Sequence, residues 1–338
     1  MGLPRPWSQS AAQLARASLL GVTFMFALLG SAASWRSVSV GRLLFTLLGA
    51  VAFHIAVYVA NDIVDLPIDR TEPRRAASPL VQGTTTVHQM AVVAATSVVV
   101  AVVIAAVLDV RAVAAMTVAL AMLLAYDVWG KRCPVPPLTD LVQGVGWACL
   151  VWYGSEAAGA ATRATVELGI YVVVAIVLVN GVHGAVRDLA NDQAHGARTT
   201  ARWLGGHLDA QGAAHIPRRL WVYAVALHVA DVAVLLVALA TAESERSEEF
   251  VIVVVVGAAC LGMLWTGLAH AGQPGVSWRA GFGYIIGMML LPATLVVDHL
   301  RGVLLLATVV LFAVPWAGSR YVRTTLATAL RAKRHAVR

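Results

Sequence analysis

The sequence predicts an all-α polytopic membrane protein, with nine to ten transmembrane helices around a central cavity and two pseudo-repeated four-helix halves. Three observations predict it. Apolar runs of about 17–22 residues recur from end to end, long enough to cross a bilayer as helices. The chain has 338 residues and is 59% hydrophobic and 13% charged, against about 25% charged in an ordinary soluble domain. An acidic stretch after the second apolar run has a counterpart after the sixth, as two parallel four-helix halves facing a cavity would give. Lipid admits only helices and closed barrels as spanning structures, and continuous apolar runs favour helices.

In chain order the expected spans are 17–33, 42–61, 88–108, 112–128, 139–155, 166–186, 219–241, 250–270, 280–297 and 302–318. The stretch 280–318 is too long for one span at ordinary tilt, and Asp298-His299-Leu300-Arg301 is the break within it. Nine spans result if one run is re-entrant or interfacial. The whole chain, 1–338, reads as a single domain with a short N-terminal tail, 1–16, and a basic C-terminal tail, 319–338. No cleavage site follows the first apolar run, so it is expected to be a retained span.

Charge gives the orientation. With the N-terminus inside, the loops after spans two, four and six face the cytoplasm. They carry Arg70, Arg74 and Arg75, then Lys131 and Arg132, then Arg187, Arg198, Arg202, Arg218 and Arg219. The loop Glu243–Glu249 faces outside and is mostly acidic, and the C-terminal tail is basic. This is the positive-inside pattern, with Arg36 and Arg42 as exceptions in the first outer loop. The net charge of +7 is thereby explained without a nucleic-acid partner. Cys133, Cys149 and Cys260 show no metal-ligand spacing, and the last two read as small apolar residues inside helices.

Against this background Asn61-Asp62-Ile63-Val64-Asp65-Leu66-Pro67-Ile68-Asp69-Arg70 stands out. The chain holds 18 Asp and Glu, and three of them fall in these ten positions. Carboxylates at a membrane edge are costly, which marks the stretch as a functional site. Asn61, Asp65 and Asp69 are four apart, so they share a helix face. Asp62 lies about 100° round from Asn61. Pro67 removes a backbone donor, so the helix is expected to end or kink near Val64–Leu66, with Asp69 on the following loop. Asp188 and Asp192 repeat the four-residue spacing after span six. Two such carboxylate pairs suit Mg²⁺, which takes oxygen ligands, keeps waters and commonly bridges to substrate phosphates. Arg70, Lys131 and Arg198 offer cations for those phosphates.

These residues resemble the UbiA superfamily of intramembrane prenyltransferases. The first family motif, NDxxDxxxD, matches Asn61 to Asp69 and continues through Arg70, Pro73-Arg74-Arg75 and Pro79-Leu80-Val81-Gln82-Gly83. The second matches Asp188, Asp192, Gly196 and Thr199. Tyr126 and Lys131 match a Tyr and a Lys that recur at the end of the fourth helix. Ser78 departs from an Arg that often precedes the Pro-Leu pair, and Asp127 from a Ser that often follows the Tyr. The likeness runs from about residue 15 to 300.

The resemblance implies a ring of helices open sideways to lipid, binding an isoprenyl diphosphate through Mg²⁺. Asn61, Asp62, Asp65, Asp69, Asp188 and Asp192 would hold metal, with Asn61, Asp65, Asp188 and Asp192 central to catalysis. Arg70, Tyr126, Lys131 and Arg198 would contact diphosphate. The prenyl group would pass to a hydrophobic or aromatic acceptor, in contact with membrane lipid. From the residues themselves, Phe53, Tyr58, Trp147, Trp152 and Tyr153 are aromatic candidates for the cavity wall, with lipid-belt or packing roles as the alternative. His54 and His183 are cavity candidates for an acid/base or acceptor-orienting group, with a hydrogen-bonded structural role as the alternative. A terpene cyclase would use the same ionisation. A transporter or lipid-binding protein would put polar residues at mid-membrane, whereas these acids gather at one face.

Overall fold

The computed structural model describes residues 16, 19–34, 39–72, 75–76, 78–242 and 246–298. The expected tenth span at 302–318, the tail at 319–338, Arg36, Arg74 and Glu243–Glu245 lie outside them, as do residues 1–15 of the N-terminal tail.

Nine longer helices follow one another in the described residues: α1 Leu20–Ala33, α2 Val40–Val64, α3 Val87–Leu108, α4 Val110–Trp129, α5 Pro136–Ala158, α6 Arg163–Leu178, α7 Arg218–Ala240, α8 Ser247–Ala269 and α9 Pro274–Leu290. Helix α6 runs on through a π-helical turn, Val179–Gly184, and one more turn, Ala185–Arg187. Six of these, α2, α3, α4, α6 with its extension, α7 and α8, are long and apolar enough to cross a membrane. Their outward faces are aliphatic, as with Val99, Val103 and Val107 on α3 and Val251 and Val255 on α8, all exposed. Such a face is stable only against lipid or a partner.

Local chemistry sets the ends. Pro136 and Pro274 begin α5 and α9, where a missing N–H costs nothing. Asp109 is both the last cap of α3 and the first of α4, accepting from Arg111 N at 2.8 Å, so one extended residue turns the chain through a hairpin. The ninth span starts at Pro274, six residues before the expected 280, and ends in a 3₁₀ turn, Leu291–Leu295, where Pro292 cannot continue an α-helix.

Each helix packs on the next one in the chain. Helix α1 meets α2, α2 meets α3, α3 meets α4 and α4 meets α5; α5 meets α6, α6 meets α7, α7 meets α8 and α8 meets α9 in the same way. The 3₁₀ turn after α9 touches α1 and closes the ring. The two halves join where α1 lies on α5. A Cβ on Gly30 would stand 1.9 Å from Val151 O, and one on Gly154 would stand 2.0 Å from Ala27 O. Only glycine permits that backbone approach, the small-residue device of membrane helix pairs.

Arg42, an exception to the charge rule, has a structural role. At the end of the bundle away from the aspartates it donates to Ala157 O and, at 2.8 Å, to Leu108 O, the last turns of α5 and α3. A cation on exposed C-terminal carbonyls is favourable from either side of a membrane.

Candidate active site

The first motif ends α2. The helix stops at Val64, and Asp65 is its cap. Pro67 then opens a separate one-turn helix, Leu66–Asp69, so Asp69 sits on helical backbone and not in a loop as expected from sequence. Its amide still bonds to Asp65 O at 2.8 Å. The break therefore re-aims the chain while keeping the Asp side chains near one another.

Cations fill the spaces between them. Arg16 donates to Asn61 Oδ1 at 2.6 Å and to Asp62 Oδ1 from Nε at 3.0 Å. Arg75 reaches Asp62 Oδ1 from its other side and Asp69 Oδ2 at 2.9 Å. Lys131 Nζ lies 2.9 Å from Asp65 Oδ2. Asn61 Nδ2 donates to Asp127 Oδ1 at 3.0 Å and, more weakly, to Asp65 Oδ2 at 3.4 Å. Asp62 is 3% exposed, and its Oδ2, like Oδ2 of Asp127, is buried without a partner. Burial raises the Asp69 carboxyl above its ordinary range, against the lowering pull of Arg75.

The second motif starts where the α6 extension ends. Asp188 joins Ala185–Arg187 to the short helix Leu189–Ala194, and Asp192 N bonds back to Asp188 O at 2.9 Å. Arg187 grips Asp188 at 2.7 and 3.0 Å. Asp192 is buried, which pushes its carboxyl up to about 6, against Lys131, which lowers it. One cavity is lined by Asp188 and Asp192 together with Tyr126, Lys131, Arg198 and Asn180. Lys131 thus faces the second motif's cavity while touching the first motif's Asp65. Its carbonyl also accepts from Arg198 N at 2.9 Å, pinning the two loops together. Across the top, Thr71 Oγ1 meets His195 Nε2 at 2.9 Å.

Several expected residues are brought together and others are not. Tyr126 lines the cavity, where its hydroxyl accepts from Asn180 at 2.8 Å. Arg70 is exposed, and the guanidinium groups on the first motif are those of Arg16 and Arg75. Phe53, Tyr58 and Trp147 form an aromatic cluster with Phe26, ring centres 5.6–6.3 Å apart, and Arg16 lies over the Tyr58 ring. His54 is buried between α1 and α2, 2.7 Å from Thr23 Oγ1, with its ring tilted against that of Tyr58 at 4.4 Å between centres. His183, in the π turn, turns its ring onto Tyr284 of α9. Tyr153 points to the opposite end and donates to Thr46 O at 3.1 Å.

Sequence reasoning missed Arg16, which lies 46 residues before Asp62. It also missed a buried polar strut: Asn180 donates to Asp140 at 2.6 Å, and Thr200 donates to the other oxygen of Asp140. Asn180 sits in the π turn, a helix irregularity frequent at functional sites.

Six helices able to cross a membrane, with two Asp-bearing helix ends linked through Lys131 at one end, define a polytopic membrane protein. The chain belongs to the UbiA prenyltransferase family, whose family model matches residues 22–282. In fold it is similar to the apo structure of a UbiA homolog from Aeropyrum pernix K1, at 21% identity and a TM-score of 0.63, over 82% of this chain and 97% of that one. It is also similar to a UbiA homolog from Archaeoglobus fulgidus bound to GPP and Mg²⁺, at 16% identity and a TM-score of 0.66, over 86% of this chain and 99% of that one. A structure of digeranylgeranylglyceryl phosphate synthase in membranes matches at 14% identity and a TM-score of 0.66, over 87% and 99%. No curated protein sequence matches closely enough to count as a relative.

Proposed function

We propose that this chain is a Mg²⁺-dependent intramembrane prenyltransferase that ionises an isoprenyl diphosphate and hands the prenyl group to a hydrophobic or aromatic acceptor. The observation that carries the reading is Lys131: one ammonium touches Asp65 and lines the cavity of Asp188 and Asp192.

The residues fit the metal. Among the described residues no three acidic, His or Cys side chains converge closely enough to hold an ion alone. That suits Mg²⁺, which is typically held by one or two carboxylates, waters and substrate phosphates. The donors are all oxygen, and Asp62 and Asp127 each keep one buried oxygen free. Asn61, Asp62, Asp65 and Asp69 on one side, and Asp188 and Asp192 on the other, would hold it. Bound Mg²⁺ supplies charge neutralisation for a departing diphosphate.

The chain's own side chains do the rest. Lys131 and Arg198 border the cavity and complement the phosphate oxygens, with Arg16, Arg75 and Tyr126 beside them. The allylic C–O bond breaks with both electrons leaving on diphosphate. The acceptor's electron pair forms the new bond to the prenyl carbon and the acceptor loses a proton. Phe26, Phe53, Tyr58 and Trp147 give a dry aromatic wall whose faces favour the allylic cation. Excluding water there prevents its hydrolysis. We assign the site to the cytoplasmic side, with the N-terminus, because Arg75, Lys131, Arg132, Arg187, Arg198 and Arg202 all gather at that end. The domain is taken to include the whole chain, 1–338.

The test is turnover by purified protein given prenyl diphosphates of several chain lengths and Mg²⁺, with and without acceptors, read by mass spectrometry. Prenylated acceptor and diphosphate release are expected, and Asp65→Ala or Asp188→Ala abolishes both while leaving a folded protein. Cyclic hydrocarbon formed without acceptor replaces transfer with cyclisation. Wild-type turnover in either variant moves the site elsewhere.

A further inference from the structure

Between Thr200–Trp203 and α7 the chain makes a small antiparallel hairpin, His207–Leu208 paired with Ala214–His215. Its register sets His207 directly opposite His215. Directly opposed residues of an antiparallel pair share a face, with Cβ atoms about 4.5–5.5 Å apart. The two imidazoles are exposed, and their ring centres are 4.8 Å apart. Nothing in diphosphate handling uses them, because the Asp and Lys groups of the cavity lie on other segments.

We propose that His207 and His215 form a bidentate site for a divalent transition metal of the Zn²⁺, Ni²⁺ or Cu²⁺ type. Imidazole pairs suit these ions and not Mg²⁺. Two Zn–N bonds of about 2.0–2.1 Å at tetrahedral angles set the nitrogens about 3.3 Å apart, which rings at this separation reach by turning about their side-chain bonds. The tautomer is already fixed at one ligand. His207 Nδ1 lies 2.9 Å from Gly205 O. A carbonyl only accepts, so the proton sits on Nδ1 and the Nε2 lone pair faces out. A backbone carbonyl behind the ligating ring is the usual support of a metal-binding histidine. The His215 ring makes no hydrogen bond among the described residues, so both of its ring nitrogens are open.

No third Asp, Glu, His or Cys stands near enough to complete a three-ligand set among the described residues. Water therefore completes the coordination, and binding is exchangeable and weaker than at a closed four-ligand structural site. The hairpin is tied to the second motif. Leu208 N donates to Gln193 Oε1 at 2.8 Å, and Gln193 Nε2 reaches back to Leu208 O at 3.4 Å. Gln193 follows Asp192 on the same short helix. An ion clamping the two strands stiffens the hairpin that braces the second motif.

The test uses untagged full-length protein in detergent at pH 7.5, titrated calorimetrically with ZnCl₂ in the presence of excess Mg²⁺. One site is expected, and His207→Asn and His215→Asn each weaken it at least tenfold. A separate readout does not depend on the variants folding: Cu²⁺ added to wild type gives an electron-spin-echo signature of two coordinated imidazoles. Zn²⁺ binding unchanged in both variants, no Zn²⁺ binding by wild type, or a Cu²⁺ spectrum with fewer than two imidazoles each overturns the proposal. None of these results bears on prenyl transfer, which is measured separately.

Discussion

Asp62 is where removal of one side chain should cost most stability for least volume. It is 3% exposed and takes guanidinium hydrogen bonds from Arg16 and Arg75, each with a side chain 24% exposed. Asp62→Ala leaves both cations facing each other with no carboxylate between them. Breaking a fully buried pair costs about 3–5 kcal/mol, and an exposed pair about 0.2–1 kcal/mol. Two partly screened pairs give about 2–4 kcal/mol. With an unfolding entropy near 2.1 cal/mol/K per residue, that lowers the melting temperature of a chain this size by about 3–6 °C. The assay is thermal unfolding in detergent without metal or substrate. Asp62→Asn keeps a carbonyl acceptor and should fall between wild type and Asp62→Ala. If Asp62→Ala melts within about 1 °C of wild type, the Arg16–Asp62–Arg75 arrangement is not a stabilising latch and the reasoning fails.

Gly154→Ala places a methyl 2.0 Å from Ala27 O. Backbone cannot swing aside, so α1 and α5 must separate, and the expected cost of about 3 kcal/mol or more appears as a melting shift of several degrees. Asp192, raised by burial to about 6 from an ordinary 3.8, links pH to two observables of opposite sign. Its protonated form stabilises the fold below 3.8, and that stabilisation is lost as pH rises through about 6. Acidification from pH 7 to 5 therefore strengthens its contribution to metal-free stability while weakening Mg²⁺ binding, and Asp192→Asn flattens both components in paired melting and calorimetric titrations.

Hydropathy alone exposed the spans, because lipid forces long apolar runs. The break at Pro67 was equally legible, since a proline removes a donor wherever it falls. The near pairings Asp65–Asp69 and Asp188–Asp192 followed from helix spacing. What escaped reading depended on long-range packing. Arg16 precedes the first span and reads as an ordinary topology charge until the fold carries it to Asn61 and Asp62. Asp140 lies in a helix start and Asn180 in an apolar run; only the π turn and the α5–α6 contact bring their side chains within 2.6 Å. Arg70, next to Asp69 in sequence, is exposed, while Arg75, six residues after Asp69, folds back onto it. Adjacency along the chain was a poor guide there because the one-turn helix rotates consecutive side chains by about 100° each.

The charges around the first motif balance before any ligand arrives: Arg16, Arg75 and Lys131 stand against Asp62, Asp65 and Asp69. This balance makes Mg²⁺ and diphosphate dependent on one another. Mg²⁺ alone must displace the Lys131 ammonium from Asp65 or add charge to a neutralised site. A diphosphate alone draws Lys131 toward its oxygens and leaves Asp65 bare beside an anion. Arriving together, the metal takes the carboxylates and the ammonium takes the phosphate, so neither charge is stranded. Couplings of this kind are typically 1–3 kcal/mol, or about 5–150-fold in affinity, and are reciprocal. Calorimetric titration of Mg²⁺ with and without a saturating unreactive prenyl diphosphate analogue should give a ratio in that range, with the same ratio when the order is reversed. Lys131→Met sharpens the test, because it should tighten Mg²⁺ binding without the analogue and shrink the ratio. Equal Mg²⁺ affinities with and without the analogue, in a protein that binds both, would show that Lys131 is not the group exchanged between Asp65 and the phosphate.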